Sequence, residues 1–220
     1  MGRSGIAGRR KLALAEGSAT YTARRAEIIE VAAAVFKEKG YEASTLQDIA
    51  DRLKTDRASL YYYVASKEEL LQEIVRAVLE ENVAMAERVA ARHLPAVEKM
   101  TVLVEEMMAS FDRNYPHMFV FIEDLARVAR IEGGWASSVL ESRRRFEQIV
   151  HGVVDQARGQ GALRDDIPDD LALLALFGMI NWTHRWYKPG GGFASGEVAS
   201  TFTSLLFNGL RAPADQAAPR

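Results

Sequence analysis

Residues 45–67 read TLQDIADRLKTDRASLYYYVASK, and the spacing predicts two short helices around a tight turn, then the start of a third. Thr45 with Asp48 is a capping pair. The hydroxyl reaches an amide one turn on, and the carboxylate sits on the positive end of the helix. Leu46, Ile49, Ala50 and Leu53 recur at helical spacing and share an inward face, while Gln47, Asp51 and Arg52 look elsewhere. After Lys54 and Thr55, Asp56 is placed to cap a second helix. That helix buries Leu60 and Val64 and turns Arg57, Ser59, Tyr62 and Tyr63 outward, and Ser66 caps the third. A helix of about two turns that exposes Arg, Ser and Tyr has the size and chemistry to enter a major groove of duplex DNA.

Just upstream, AEIIEVAAAVFKEKG (26–40) is an amphipathic helix with Gly40 as its stop. The stretch from Arg24 to Leu70 resembles the N-terminal DNA-binding domain of the TetR family of bacterial transcriptional regulators. The resemblance is carried in order by that helix and Gly40, then Tyr41, Thr45, Ile49-Ala50, Leu60-Tyr61, Lys67 and Leu70. Lys54 stands where the family usually has a turn glycine, at a cost of about 1 kcal/mol if that residue needs positive φ. Tyr63 stands where His is common and Val64 where Phe is common; the first bears on which DNA sequence is read. By matching positions, the resemblance implies that Thr45, Tyr61, Tyr62 and Lys67 anchor phosphates. Gln47, Arg57, Ser59 and Tyr63 are the candidates for base edges, with Ala58 on the same surface. Arg57 would favour guanine and Gln47 could pair with adenine.

At 220 residues the chain is long enough for a substantial core beyond that unit. It holds no Cys, which excludes disulfides and thiolate chemistry and fits a reducing cytoplasm. Net charge is −2, so composition alone does not suggest nucleic acid. The distribution does: Arg3, Arg9, Arg10, Lys11, Arg24 and Arg25 crowd the start of the chain. Residues 1–21 therefore read as a basic arm that either draws phosphates or simply solubilises. No secretory signal is visible. The longest apolar run, Leu171 to Ile180, is about half of what a bilayer needs and reads as a buried helix, so no membrane is expected.

About nine helices are expected in all, with no strand signal, so the fold class is all-α. A helix-turn-helix domain (22–69) precedes a helical ligand-binding and dimerisation domain (70–211) and a tail (212–220). A long fourth helix from Ser66, carrying Leu70, Leu71, Ile74, Val75, Val78 and Leu79, joins the two. The eighth helix, expected to run from Pro168 to Tyr187, and the ninth, from Ser195 to Leu210, are apolar around much of their girth. That excess suggests a self-complementary interface in which two helices from each subunit form a four-helix bundle, giving a homodimer that reads a palindrome.

Met and aromatic side chains concentrate on the fifth to eighth helices. Such stripes are usually plain core, but their density favours an adaptable apolar pocket. The resemblance implies an inducer there, whose binding releases the operator. NWTHRWYKPGG (181–191) sets Trp182, Arg185 and Trp186 on one expected helix face, and it is similar to a segment of family members that control fatty-acid and steroid catabolism in response to acyl-CoA thioesters. The expected lining is Met107, Phe111, Phe121, Arg127, Trp182, Arg185 and Trp186. Arg127 and Arg130, or Arg143 to Arg145, would meet the phosphates of a CoA ligand. A sensor of cationic drugs is the alternative, using Glu105, Glu106, Glu123 or Asp124. His93, His117, His151 and His184 lack metal-ligand spacing, and no nucleophile or paired-acid arrangement is present. Neither a catalytic site, a metal nor a cofactor is expected. An enzyme or a helical scaffold remains the distant alternative, against which the exposed Arg-Ser-Tyr-Tyr surface argues.

Overall fold

The computed structural model describes residues 19–128 and 134–210; residues 1–18 of the basic arm, Arg130, the tail and the side chain of Arg127 lie outside the described residues. Among them nine α-helices form and no sheet. They are α1 (Ala19–Lys39), α2 (Leu46–Arg52), α3 (Arg57–Tyr63), α4 (Lys67–Ala90), α5 (Ala96–Arg113), α6 (His117–Val128), α7 (Gly134–Gly159), α8 (Asp169–Trp182) and α9 (Ser195–Leu210). The first three make a compact head. Ile28, Ala32, Val35 and Phe36 of α1 meet Leu46, Ile49 and Ala50 of α2 and Leu60 of α3, all buried.

Local chemistry sets the boundaries. Gly40, with φ +79°, ends α1 in the left-handed region. Thr45 and Asp48 exchange both bonds of a capping box at α2. At its other end the Lys54 amide donates to the Asp51 carbonyl (3.1 Å) and Thr55 to Ala50 (3.0 Å), a Schellman closure. Lys54 takes the left-handed position there, with φ +52°. Asp56 accepts from the Ser59 amide at 2.7 Å to start α3, and Ser66 accepts from the Glu69 amide at 3.1 Å to start α4. Surface pairs Lys39–Asp48 and Arg52–Glu38, each at 2.5 Å, lash α2 to the end of α1.

Helix α4 leaves the head directly and packs on α6 and α7. Its 24 residues span about 36 Å. A second contact joins head and helical body. The Lys37 ammonium of α1 lies 4.9 Å from the Tyr115 ring centroid and 5.7 Å from that of Phe119, and His117 Nε2 is 3.5 Å from Glu30. Within the body, α5 packs on α9 and α7, and Met100, Val104, Met107, Met108 and Phe111 fill its inner face.

Two boundaries differ from expectation. Helix α1 begins at Ala19 rather than Thr22, because Tyr21, only 5% exposed, is packed into the head. Helix α8 stops at Trp182 rather than Tyr187 and passes into a 3₁₀ turn, Thr183–Arg185. There the Thr183 hydroxyl bonds the Ile180 carbonyl, competing with the helix ladder. Buried Tyr187 is drawn aside by a 2.5 Å bond from its hydroxyl to Asp112 of α5.

Candidate nucleic-acid interface and effector groove

The exposed surface of α2 and α3 gathers most of the expected DNA contacts. Arg57, Ala58 and Ser59 are exposed on the first turn of α3, with Gln47 and Thr45 exposed on α2. The Arg57 guanidinium donates to the Tyr61 hydroxyl at 2.9 Å and sits 5.5 Å over its ring. This holds the arginine extended along the helix with partners that a base can replace. Gln47 donates to Asp51 at 2.7 Å, and the Ser59 hydroxyl donates to Asp56 at 2.7 Å. Capping chemistry also occupies Thr45, whose hydroxyl donates to Asp48 at 2.8 Å. Hydrogen bonds from Lys39 and from Thr45 hold the Asp48 carboxyl down to about 2. Ser59 similarly holds Asp56 below its ordinary value.

Tyr62, Tyr63 and Lys67 are placed otherwise than expected. Tyr62 and Tyr63 do not turn freely outward; both are half-buried. Tyr63 stacks on Tyr21, with centroids 5.1 Å apart, and Tyr62 meets Tyr21 edge-on at 5.5 Å. The reason is that α3 lies across the start of α1, so the tyrosines at its end face a ring that precedes the helix pair in sequence. Lys67 points inward. Its ammonium donates to the carbonyls of Tyr41 (2.6 Å), Ser44 (2.8 Å) and Glu42 (3.3 Å), and lies 4.3 Å from the Tyr41 ring centroid. It ties the turn after α1 to the start of α4, which uses the three N–H groups an ammonium has.

In the helical body the expected ligand residues are not brought together. Met107, Phe111 and Phe121 are buried in the continuous core. Trp182 and Trp186 are 63% and 43% exposed. Because α8 ends early, Arg185 does not share an α-helical face with both indoles. It pairs with Glu123 of α6 at 3.1 Å and lies 5.7 Å over the Trp182 ring.

A groove of about 550 Å³ opens instead between α7 and α8. Arg143 and Arg144 supply cations on α7 with His151 beside them, and Leu173, Leu174 and Phe177 supply an apolar wall on α8; Glu147 and Asp170 also line the groove. Arg143 pairs with Glu147 at 2.8 Å. His151 bonds Asp155 at 3.0 Å, which raises its pKa and favours the charged ring. The arginine cluster and the leucines were legible as residues; their meeting depends on how α7 and α8 cross, which spacing does not report.

Beside the groove, Leu171, Leu174, Ala175, Gly178 and Trp182 are all exposed. They recur at helical spacing and form one apolar stripe along α8. Leu205 on α9 is 63% exposed. No helix among the described residues is long and apolar enough to cross a membrane. No His, Cys, Asp and Glu among them are grouped to hold a metal.

Comparison with known proteins agrees with this geometry. The family described as bacterial regulatory proteins, tetR family, matches residues 28–74, and the tetracyclin repressor-like C-terminal domain matches residues 93–210. The chain is similar to the HTH-type transcriptional repressor KstR2 of Rhodococcus jostii, at 28% identity over 199 residues, covering 90% of this chain and 97% of that one. The KstR2 repressor of Mycobacterium tuberculosis is 27% identical over 188 residues, 85% of this chain and 92% of its own. Among solved structures, the ketosteroid transcriptional regulator KstR2 of M. tuberculosis superposes with a TM-score of 0.81 at 26% identity, covering 86% of this chain and 96% of that one. AibR, solved in complex with isovaleryl coenzyme A and operator DNA, shares the fold with a TM-score of 0.71 at 23% identity, over 84% of this chain and 98% of its own.

Proposed function

The chain belongs to the TetR family of bacterial regulatory proteins, and on that premise we propose that this DNA-binding transcriptional regulator is a homodimeric repressor that leaves its operator on binding an acyl-CoA thioester. The observation that carries the reading is the exposed face of α8. Its stripe of Leu171, Leu174, Ala175, Gly178 and Trp182 is too apolar to stay in water and matches what a two-fold helix-pair interface needs. Leu174 belongs to both the stripe and the groove wall. An effector seated in the groove would therefore touch the seam between subunits and alter the spacing of the two heads.

The groove suits an amphipathic anion. Arg143 and Arg144, with His151 beside them, can meet phosphates, while Leu173, Leu174 and Phe177 cover an acyl or polycyclic group. The KstR2 relatives are named as repressors, and the KstR2 structure is described as a ketosteroid regulator. AibR carries a CoA thioester. The second favours an acyl-CoA over a cationic drug, and the first favours a polycyclic acyl group. Arg57, Gln47 and Ser59 are the base readers in this account, with Thr45, Tyr61 and Tyr62 on phosphates. The site of action is the cytoplasm, where a bacterial chromosome lies.

A gel shift with DNA from beside its own gene tests the first half, and calorimetry with palmitoyl-CoA against rhodamine 6G tests the second. Palmitoyl-CoA should bind and release the DNA, and Arg143→Glu with Arg144→Glu should weaken it at least roughly tenfold, the loss expected when charge-assisted phosphate contacts are reversed. A response to the dye alone would reject the acyl-CoA reading.

A further inference from the structure

The first two turns of α1 lie ahead of residue 28, where the match to the DNA-binding family begins. They are nevertheless packed onto the link between α3 and α4. The Tyr21 ring stacks on Tyr63 at 28° between planes, meets Tyr62 at 83°, and directs its hydroxyl to the Tyr63 carbonyl at 3.4 Å. Tyr62 and Tyr63 are themselves edge-on at 5.0 Å, so the three rings form a closed cluster at the end of α3. One turn along α1, the Arg25 guanidinium lies 3.2 Å from both Glu69 and Glu73 of α4. Glu69 in turn accepts from the amide of Ala65, inside the link, at 2.7 Å.

We propose that this segment is a clasp, with Tyr21 and Arg25 as positioning residues for duplex binding, which fixes the angle between α3 and α4 before DNA arrives. A seven-residue helix such as α3 closes too few hydrogen bonds to hold its own orientation. Among the described residues, the side chains of its N-terminal turn, Arg57 and Ser59, bond to its own cap and to Tyr61. Its other end is held by buried Leu60 and Val64 in the core and, at its tyrosines, from outside. Tyr21 does this for Tyr62 and Tyr63, and Arg25 does it for α4 through Glu69 and Glu73. An α3 already fixed in angle loses little freedom when Arg57 and Ser59 of its first turn meet base edges, whereas phosphate contacts, which carry no sequence information, depend less on that angle. The same grip makes α3 follow α4 as one body, so that movement of α4 reaches the bases.

The test uses the full chain with a duplex that it enriches from a random-sequence pool and a scrambled duplex of equal length. Tyr21→Phe keeps the ring cluster and should hold wild-type affinity for both. Tyr21→Leu fills the space without the stacking; it should bind the enriched duplex roughly tenfold more weakly, with the scrambled duplex unchanged. Arg25→Gln should act in the same direction. Hydrogen exchange over residues 57–66 of the free chain provides a reading independent of DNA: faster in Tyr21→Leu, unchanged in Tyr21→Phe. Wild-type affinity in Tyr21→Leu, equal loss on both duplexes, or unaltered exchange would overturn the proposal.

Discussion

Arg57 and Lys67 are both cations of the head, and their surroundings separate their work. Arg57 is exposed and, among the described residues, bonded to a neighbouring phenol, so its guanidinium can exchange that partner for a guanine edge. Arg57→Ala is expected to relax preference at one base pair by about 1–3 kcal/mol, measured on a set of single-substituted duplexes. Lys67 has committed its donors to three carbonyls. Lys67→Met should lower head stability by about 1–2 kcal/mol in urea titration while leaving the slope of affinity against salt unchanged. A slope flattened by about one, with stability intact, would return Lys67 to the phosphate contacts. Asp48 adds a pH dependence. Its folded pKa of about 2 lies below the usual carboxyl value of 3.8, so ionisation favours the folded head. That contribution is present above about pH 4 and is lost as pH falls through the folded value. The difference in thermal midpoint between wild type and Asp48→Asn should be constant above about pH 4 and shrink below it.

Among the elements, the α2–α3 turn is where a local rule is broken and held. Lys54 occupies the left-handed position of a Schellman closure that glycine fills without strain. Both closing bonds are nonetheless made, so neighbouring structure offsets the strain. Lys54→Gly should raise head stability by roughly 0.5–1 kcal/mol, the Cβ strain outweighing the glycine's extra unfolded entropy. Calorimetric midpoints of the two proteins decide it; a fall would mean that Lys54 makes a stabilising contact in solution. At the end of α8 a different rule operates. Thr183 turns its hydroxyl back on the ladder, and Asp112 captures Tyr187, so the helix stops where its side chains find better partners.

For the molecule as a whole, the apolar stripe of α8 requires a covering surface, and a second copy supplies it under the proposed function. Leu171 is 58% exposed and stands outside the groove. Leu171→Asp with Ala175→Asp should convert the dimer to a monomer in sedimentation. Operator affinity should then fall by a factor on the order of 10²–10⁴, because two linked heads become independent. Palmitoyl-CoA would still find the cationic α7 wall. A double variant that remained dimeric would place the subunit seam elsewhere.

The helix pair, its caps, the stop at Gly40 and the family resemblance were legible in residues 24–70, because each rests on interactions within a turn or two of chain. The same holds for the apolar character of the last two helices. Pairings across long separations were not legible. Tyr21 on Tyr63, Lys67 on Tyr41 and Ser44, Arg185 on Glu123, and the α7–α8 groove all depend on where helices cross. Periodicity says which face of a helix turns inward but not which neighbour waits there. Side chains expected in a shared pocket thus became core or surface, and a tyrosine assigned to the arm became part of the DNA-binding head.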